Sequence, residues 1–263
     1  MKKRFLIPSV IPLLFPNITF AAACVDGANA DGCTIDTTGI DYMLTGDIAP
    51  ASGSDGIELT PGADENTINL TGNITTRDDG YGMTITNSDS NTLTVSGDIT
   101  STGDYALGAY FIISDSNTLT VGNITTVGTT SGPGIFLYES DSNTININGK
   151  VSASGGNNDA IFADLNSDNN TVTLNRGAII DGRLFNDGTN NTLKLNLGAG
   201  RSYALETSGN SSWTIQDLNN RPMVTGSAYG IGVGNIETQG HEMYQRTYQV
   251  NQTLQQRQLA NLK

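Results

Sequence analysis

An Asn-Thr dipeptide followed by alternating apolar residues recurs six times, at Asn66, Asn91, Asn117, Asn143, Asn170 and Asn191. The intervals are 25, 26, 26, 27 and 21 residues, a register that general richness in Asn and Thr does not hold. A unit of this size cannot bury an apolar face alone, so self-similarity at such a period points to units stacked on copies of themselves.

The six segments read NTINLTGNI, NTLTVSGDI, NTLTVGNI, NTININGKV, NTVTLNRGA and NTLKLNLGA. Alternation with period two places Ile68 and Leu70, Leu93 and Val95, Leu119 and Val121, Ile145 and Ile147, Val172 and Leu174, and Leu193 and Leu195 on one face of a strand. The other face is polar throughout, beginning with Thr67, Thr92, Thr118, Thr144, Thr171 and Thr192. A second apolar step follows at Ile74, Ile99, Ile124 and Val151, and a third apolar stretch at 81–86, 105–113, 134–138 and 160–165. Three short strands per repeat, separated by Gly, Asn, Asp and Ser turns, predict one coil of a parallel β-helix with coils about 4.8 Å apart. The fold expected is therefore an all-β, right-handed parallel β-helix solenoid of about six to eight coils over residues 24–220, including partial coils at 34–65 and 196–220. A linker at 221–235 and a C-terminal α-helix at 236–263 follow it.

Stacking assigns a structural role to the anchors. Asn tolerates the left-handed turn conformation, and its amide can bond to the Asn one coil away, so the six anchor residues are expected to form a ladder at a bend. Two positions earlier runs a second column, Asp64, Asp89, Asp115, Asp141 and Asp168. Like charges one coil apart repel unless water, salt or a cation screens them, which leaves a solvated turn and a calcium-binding edge as the two readings. Calcium wants six to eight convergent oxygens, whereas this column offers one carboxylate per coil.

Lys and Arg number 13 against 26 Asp and Glu, a net charge of −13 that disfavours phosphate backbones and anionic lipid surfaces. Lys2, Lys3 and Arg4, a mostly apolar run to Phe20 and the small residues Ala21, Ala22 and Ala23 read as an export signal over residues 1–23. Cys24 and Cys33, the two cysteines, then form one small disulfide loop expected to cap the solenoid, with lipid attachment at Cys24 as the competing reading. Neither a metal cluster nor a cofactor motif is present, and the single histidine, His241, lies in the tail.

From Ile236 the composition turns to Gln, Leu, Arg and Met, helical by propensity but polar nearly all round. Export signal, three-strand repeats, SSWTIQDL and the stretch GNIETQGHEMYQRTYQVNQTLQQRQ together resemble a Gram-negative autotransporter of the type V secretion class. The resemblance implies a passenger at residues 24–220, a pore-threading helix at 236–263, and an outer-membrane translocator barrel as partner. No barrel strands follow within the 263 residues, so the expectation is a fragment, a truncated product, or a subunit whose barrel is encoded separately. The implied location is the cell surface, the outer membrane or the medium, or the periplasm where no barrel is supplied.

The function expected is that of a monomeric, non-enzymatic adhesin or surface-interaction stalk. Tyr105, Tyr110 and Tyr138 are candidate contacts or, equally, packing residues. A polysaccharide lyase or glycosidase would need convergent carboxylates, for which the candidates are Asp159, Asp164, Asp181 and Asp187 near Arg176 and Arg183. An ice-binding array of Thr-X-Thr rungs is interrupted by Asn69, Asn146 and Lys194. A serine protease lacks its motif.

Overall fold

A computed structural model describes residues 23–27, 29–128, 132–154, 159–196, 205–219, 224–225 and 231–232. The expected export signal up to residue 22 and the expected helix at 236–263 lie outside them. So does most of the expected linker, of which a short antiparallel pair, Val224–Thr225 with Ile231–Gly232, is described.

The chain forms an all-β parallel solenoid of about seven turns. Each turn contributes a strand to an anchor sheet of eight strands, running from Asp41–Thr45 to Thr214–Asp217, and to a second sheet of eight strands, from Cys33–Ile35 to Glu206–Ser208. A third sheet of five strands, Ile74–Thr76 to Ile179–Asp181, sits between them. A typical turn runs through Thr92–Val95, Ile99–Thr102 and Ala109–Ile112 before re-entering the anchor sheet at Thr118–Val121. The ladders between turns are parallel and, but for one shift between Asp159 and Ile161, in unbroken register, so Leu93 lies over Leu119 and Thr94 over Thr120. Among the described residues no helix is long and apolar enough to cross a membrane.

The core is the inside of the coil. Leu93, Leu119, Ile145, Val172 and Leu193 from the anchor sheet are fully buried, as are Ile74, Ile99, Ile124 and Val151 from the third and Met83, Ala109, Ile135, Ile161 and Leu184 from the second. Each large aliphatic side chain so buried contributes about 1.5–3 kcal/mol relative to exposure. The corner entering the second sheet is tight enough to require glycine: a Cβ at Gly56, Gly82 or Gly108 would stand 2.5 Å from the carbonyl oxygen of the glycine one turn on. At Gly134 it would stand 2.7 Å from the Ala160 oxygen.

The unequal repeat lengths have a local cause. Residues 103–108 separate third-sheet from second-sheet strands in a 26-residue turn, whereas Gly182 alone does so in the 21-residue turn. The missing residues therefore come from this one corner, and the anchor register survives. At the N-terminal end Cys24 and Cys33 are disulfide-bonded; Ala23 and Thr34, which flank the loop they close, bridge to each other, and Gly27 within it bridges to Leu44.

Candidate functional site

The corner before the anchor sheet reads Ser88-Asp89-Ser90-Asn91, Ser114-Asp115-Ser116-Asn117, Ser140-Asp141-Ser142-Asn143 and Ser167-Asp168-Asn169-Asn170 in successive turns. Its backbone N–H groups leave the sheet ladders and each needs another acceptor. The anchor asparagines supply one: each of Asn66, Asn91, Asn117, Asn143, Asn170 and Asn191 is buried and accepts through Oδ1 from a backbone N–H of the preceding turn at 2.7–2.9 Å. The side-chain amides of Asn117, Asn143, Asn170 and Asn191 donate to the carbonyls of Ser88, Ser114, Ser140 and Ser167. The ladder is thus chiefly side chain to backbone; an amide-to-amide contact joins Asn91 to Asn117 at 3.1 Å.

The left-handed residue of this corner is not the asparagine, contrary to expectation, but the residue before it: Glu65, Ser90, Ser116, Ser142, Asn169 and Asn190 have φ of 58–60°. The reversal there turns the following Asn inward. A buried serine column, which the sequence reading did not single out, completes the corner: Oγ of Ser114, Ser140 and Ser167 accepts from the N–H of Ser88, Ser114 and Ser140 at 3.1–3.2 Å. The repeated Ser-Asp-Ser-Asn tetrad was its sequence signal.

The aspartate column works in the opposite direction. Asp64, Asp89, Asp115 and Asp141 accept through Oδ1 from the N–H of the aspartate one turn later, at 2.6–2.7 Å, and Asp168 does so from Thr189. Each carboxylate is tied to its neighbour's amide rather than converging with its neighbours, and among the described residues no group of three or more His, Cys, Asp or Glu is placed to hold a metal ion.

The carboxylates weighed for glycan chemistry are dispersed. A bulge at Ala160 sets Asp159 opposite Arg183, whose Nε lies 2.9 Å from Oδ1 with its N–H off the line between them. Burial raises the Asp159 pKa more than the Arg183 guanidinium lowers it. Asp181 pairs with Lys150 at 2.6 Å, and the hydrogen bond from that lysine holds its pKa down. Asp164 accepts from Ser167 Oγ at 2.6 Å and Asp187 from the Asn210 N–H at 2.6 Å, while Arg176 is exposed in a turn. The structure brings Asp159 and Arg183 together and sends the others to separate structural tasks.

The outer face of the second sheet carries a different feature. Tyr110, Phe136, Phe162 and Phe185 occupy one register column on four successive turns, each half-buried on the solvent side. Tyr110 stacks on Phe136 with centroids 5.0 Å apart, and Phe162 on Phe185 at 4.4 Å, the planes within 9° and 6°. Phe136 and Phe162 meet edge to face at 4.9 Å, Tyr81 closes on Tyr110 at 5.6 Å, and Tyr138 flanks Phe136 at 6.1 Å. Six rings therefore form one continuous external stripe. Of the three tyrosines singled out from sequence, Tyr110 is in the stripe and Tyr138 at its edge, while Tyr105 stands 61% exposed in the corner that leads into the Tyr110 strand. The phenylalanines escaped the sequence reading, although their recurrence at the coil period was visible.

Carboxylates line this stripe. Asp55 reaches Thr84 Oγ1, on the same register column, at 2.6 Å and accepts from the Tyr81 N–H at 2.9 Å; burial pushes its pKa up. Glu139 follows Tyr138 and its N–H donates to Asp164, and the Glu139 charge, ahead of burial, holds the Tyr138 phenol above its usual range. Burial first, then Asp55 and Asp79, does the same for Tyr81.

The outer face of the anchor sheet is a register column of Thr67, Thr92, Thr118, Thr144, Thr171, Thr192 and Thr214. Beside it the column through Thr94 and Thr120 is broken by Asn69, Asn146 and Lys194. At the last turn Trp213 closes the core, its indole Nε1 donating to the Leu184 carbonyl at 3.4 Å, beside an open depression of about 320 Å³. No family model, curated protein or solved structure matches the chain.

Proposed function

We propose that this chain is a non-enzymatic, exported surface-interaction solenoid, a passenger-like stalk that meets its target through the aromatic stripe on its second sheet. The observation that carries the reading is that stripe. Six contiguous rings, four of them in one register column, leave apolar surface in water along five turns, and contiguous apolar surface of this kind marks interaction sites. The polar side chains of the anchor corner, by contrast, are taken up in holding turns together.

The likeness to autotransporter passengers adds the setting: delivery by an outer-membrane barrel to the cell surface or medium, with residues 236–263 as the segment that enters it. A right-handed winding accords with the strong preference of parallel crossovers. Binding of cells or surfaces by the exported chain should fall to background when residues 24–220 are removed. Binding that persists unchanged sinks the reading.

One observation favours an enzyme as second reading, the buried Asp159 with its raised pKa against Arg183. New reducing or unsaturated ends from an acidic polysaccharide, lost in Asp159→Asn, would establish that reading in place of the first.

A further inference from the structure

We infer that the aromatic stripe binds a cationic polypeptide segment carrying apolar side chains, laid along the solenoid axis with its Lys or Arg residues against the flanking carboxylates. The inference rests on the stripe being the contact surface proposed above and names what fits it.

Ring geometry disfavours a sugar platform along the column. A pyranose or a quaternary ammonium is held by an open aromatic face, yet Tyr110 and Phe136 each give one face to the other, as do Phe162 and Phe185, with planes 9° and 6° apart. Ring edges and the grooves between pairs remain for a partner, a relief that aliphatic and aromatic side chains can interdigitate at the spacing of the turns. Charge narrows the choice further. Glu139 stands exposed beside Tyr138 with Asp164 against its N–H, while Asp55, at the Thr84 end of the stripe, is already held by the Thr84 hydroxyl and the Tyr81 N–H. The nearby cation, Arg183, is already paired with Asp159 at 2.9 Å. A second copy of the chain would bring the same carboxylates to face these, so like charges oppose self-association through this surface, whereas a basic segment satisfies them.

The register column itself supplies a substitution that leaves the sheet intact, because Thr84 occupies the position one turn before Tyr110. The test measures affinity of the full exported chain for an alternating Lys-Leu decapeptide, an alternating Glu-Leu decapeptide and cellohexaose, for wild type, Phe136→Thr/Phe162→Thr and Glu139→Gln. The Lys-Leu peptide is expected to bind at least tenfold more tightly than either other probe. Phe136→Thr/Phe162→Thr should weaken it tenfold or more. Glu139→Gln, an exposed change, should weaken it two- to threefold and flatten its salt dependence, and it keeps the test open should the double variant fail to fold. Lys-Leu binding that ignores both variants is adventitious charge attraction and overturns the inference, as does an absence of binding. Stripe-dependent binding of cellohexaose alone overturns the peptide inference but leaves the contact surface standing. Cell or surface binding indifferent to Phe136→Thr/Phe162→Thr, with the fold retained, removes the contact surface itself.

Discussion

At the scale of single residues, the four-residue corner holds polar groups that the fold cannot leave unpaired. Asn143 serves two partners at once, accepting from the Asn117 N–H at 2.9 Å and donating to the Ser114 carbonyl at 2.8 Å. Asn143→Ala strands both in a dry interior, where each unsatisfied group costs about 1–3 kcal/mol. A loss of about 2–6 kcal/mol in denaturant unfolding is expected, with Asn143→Asp no better because it buries a charge. Asp141→Asn keeps the acceptor for the Asp168 N–H and lowers repulsion along the column, so stability should hold or rise slightly at low salt. Asp55 sets a pH dependence. Its folded pKa lies above the ordinary 3.8, so its contribution is fully present below that value and is lost as the pH rises through the raised folded value. Thermal melts from acid to neutral pH should show wild type losing stability across that range, and Asp55→Asn should flatten that part of the curve.

At the scale of the element, the sheets differ in what their outer faces tolerate. The anchor sheet presents Thr, which any exposed rung favours, and Thr118→Val should change stability by less than about 0.5 kcal/mol. On the second sheet Phe136 touches Tyr110, Phe162 and Tyr138. Its replacement by Thr removes aromatic pairs each worth about 0.5–1.5 kcal/mol beyond burial, so a measurable but survivable loss is expected in the same unfolding experiment. Alternation along Leu93-Thr94-Val95 was enough to say which side chains face inward, because a parallel solenoid has one dry side. The same alternation is silent on the aromatic stripe. Phe162 reads as core by hydrophobicity, and its outward place follows from Ile161 and Ala163 taking the inward positions.

At the scale of the whole molecule, the solenoid is close to one-dimensional, and stability should be nearly additive over turns. Excising residues 118–143, one 26-residue turn, joins Asn117 to Thr144 and preserves every column. That variant should retain its β-sheet circular dichroism and unfold cooperatively at a modestly lower temperature. Excising half as many residues should abolish the cooperative transition. Reducing Cys24–Cys33 opens a loop of sequence separation 9 at one end. The cost should be no more than about 3 kcal/mol by loop-entropy arguments, and hydrogen exchange should rise in the first turn while the central turns stay protected.

The six Asn-Thr anchors and their alternating neighbours were sufficient by themselves to determine an all-β stacked fold, the repeat length and the inward residues, because period-two burial and a fixed coil period leave one way to hide the apolar side chains. They could not determine which atoms close the corner. The left-handed step falls on Ser90 or Ser116 rather than on the asparagine, a choice made only when the Asn amide meets a backbone N–H from another turn. Nor could they place the aromatic stripe or separate Asp159 from Asp181, since contacts across 23 to 29 residues depend on register and bulges that arise when turns stack. Local chemistry is written along the chain; the aromatic stripe, the contact surface proposed above, exists only between turns.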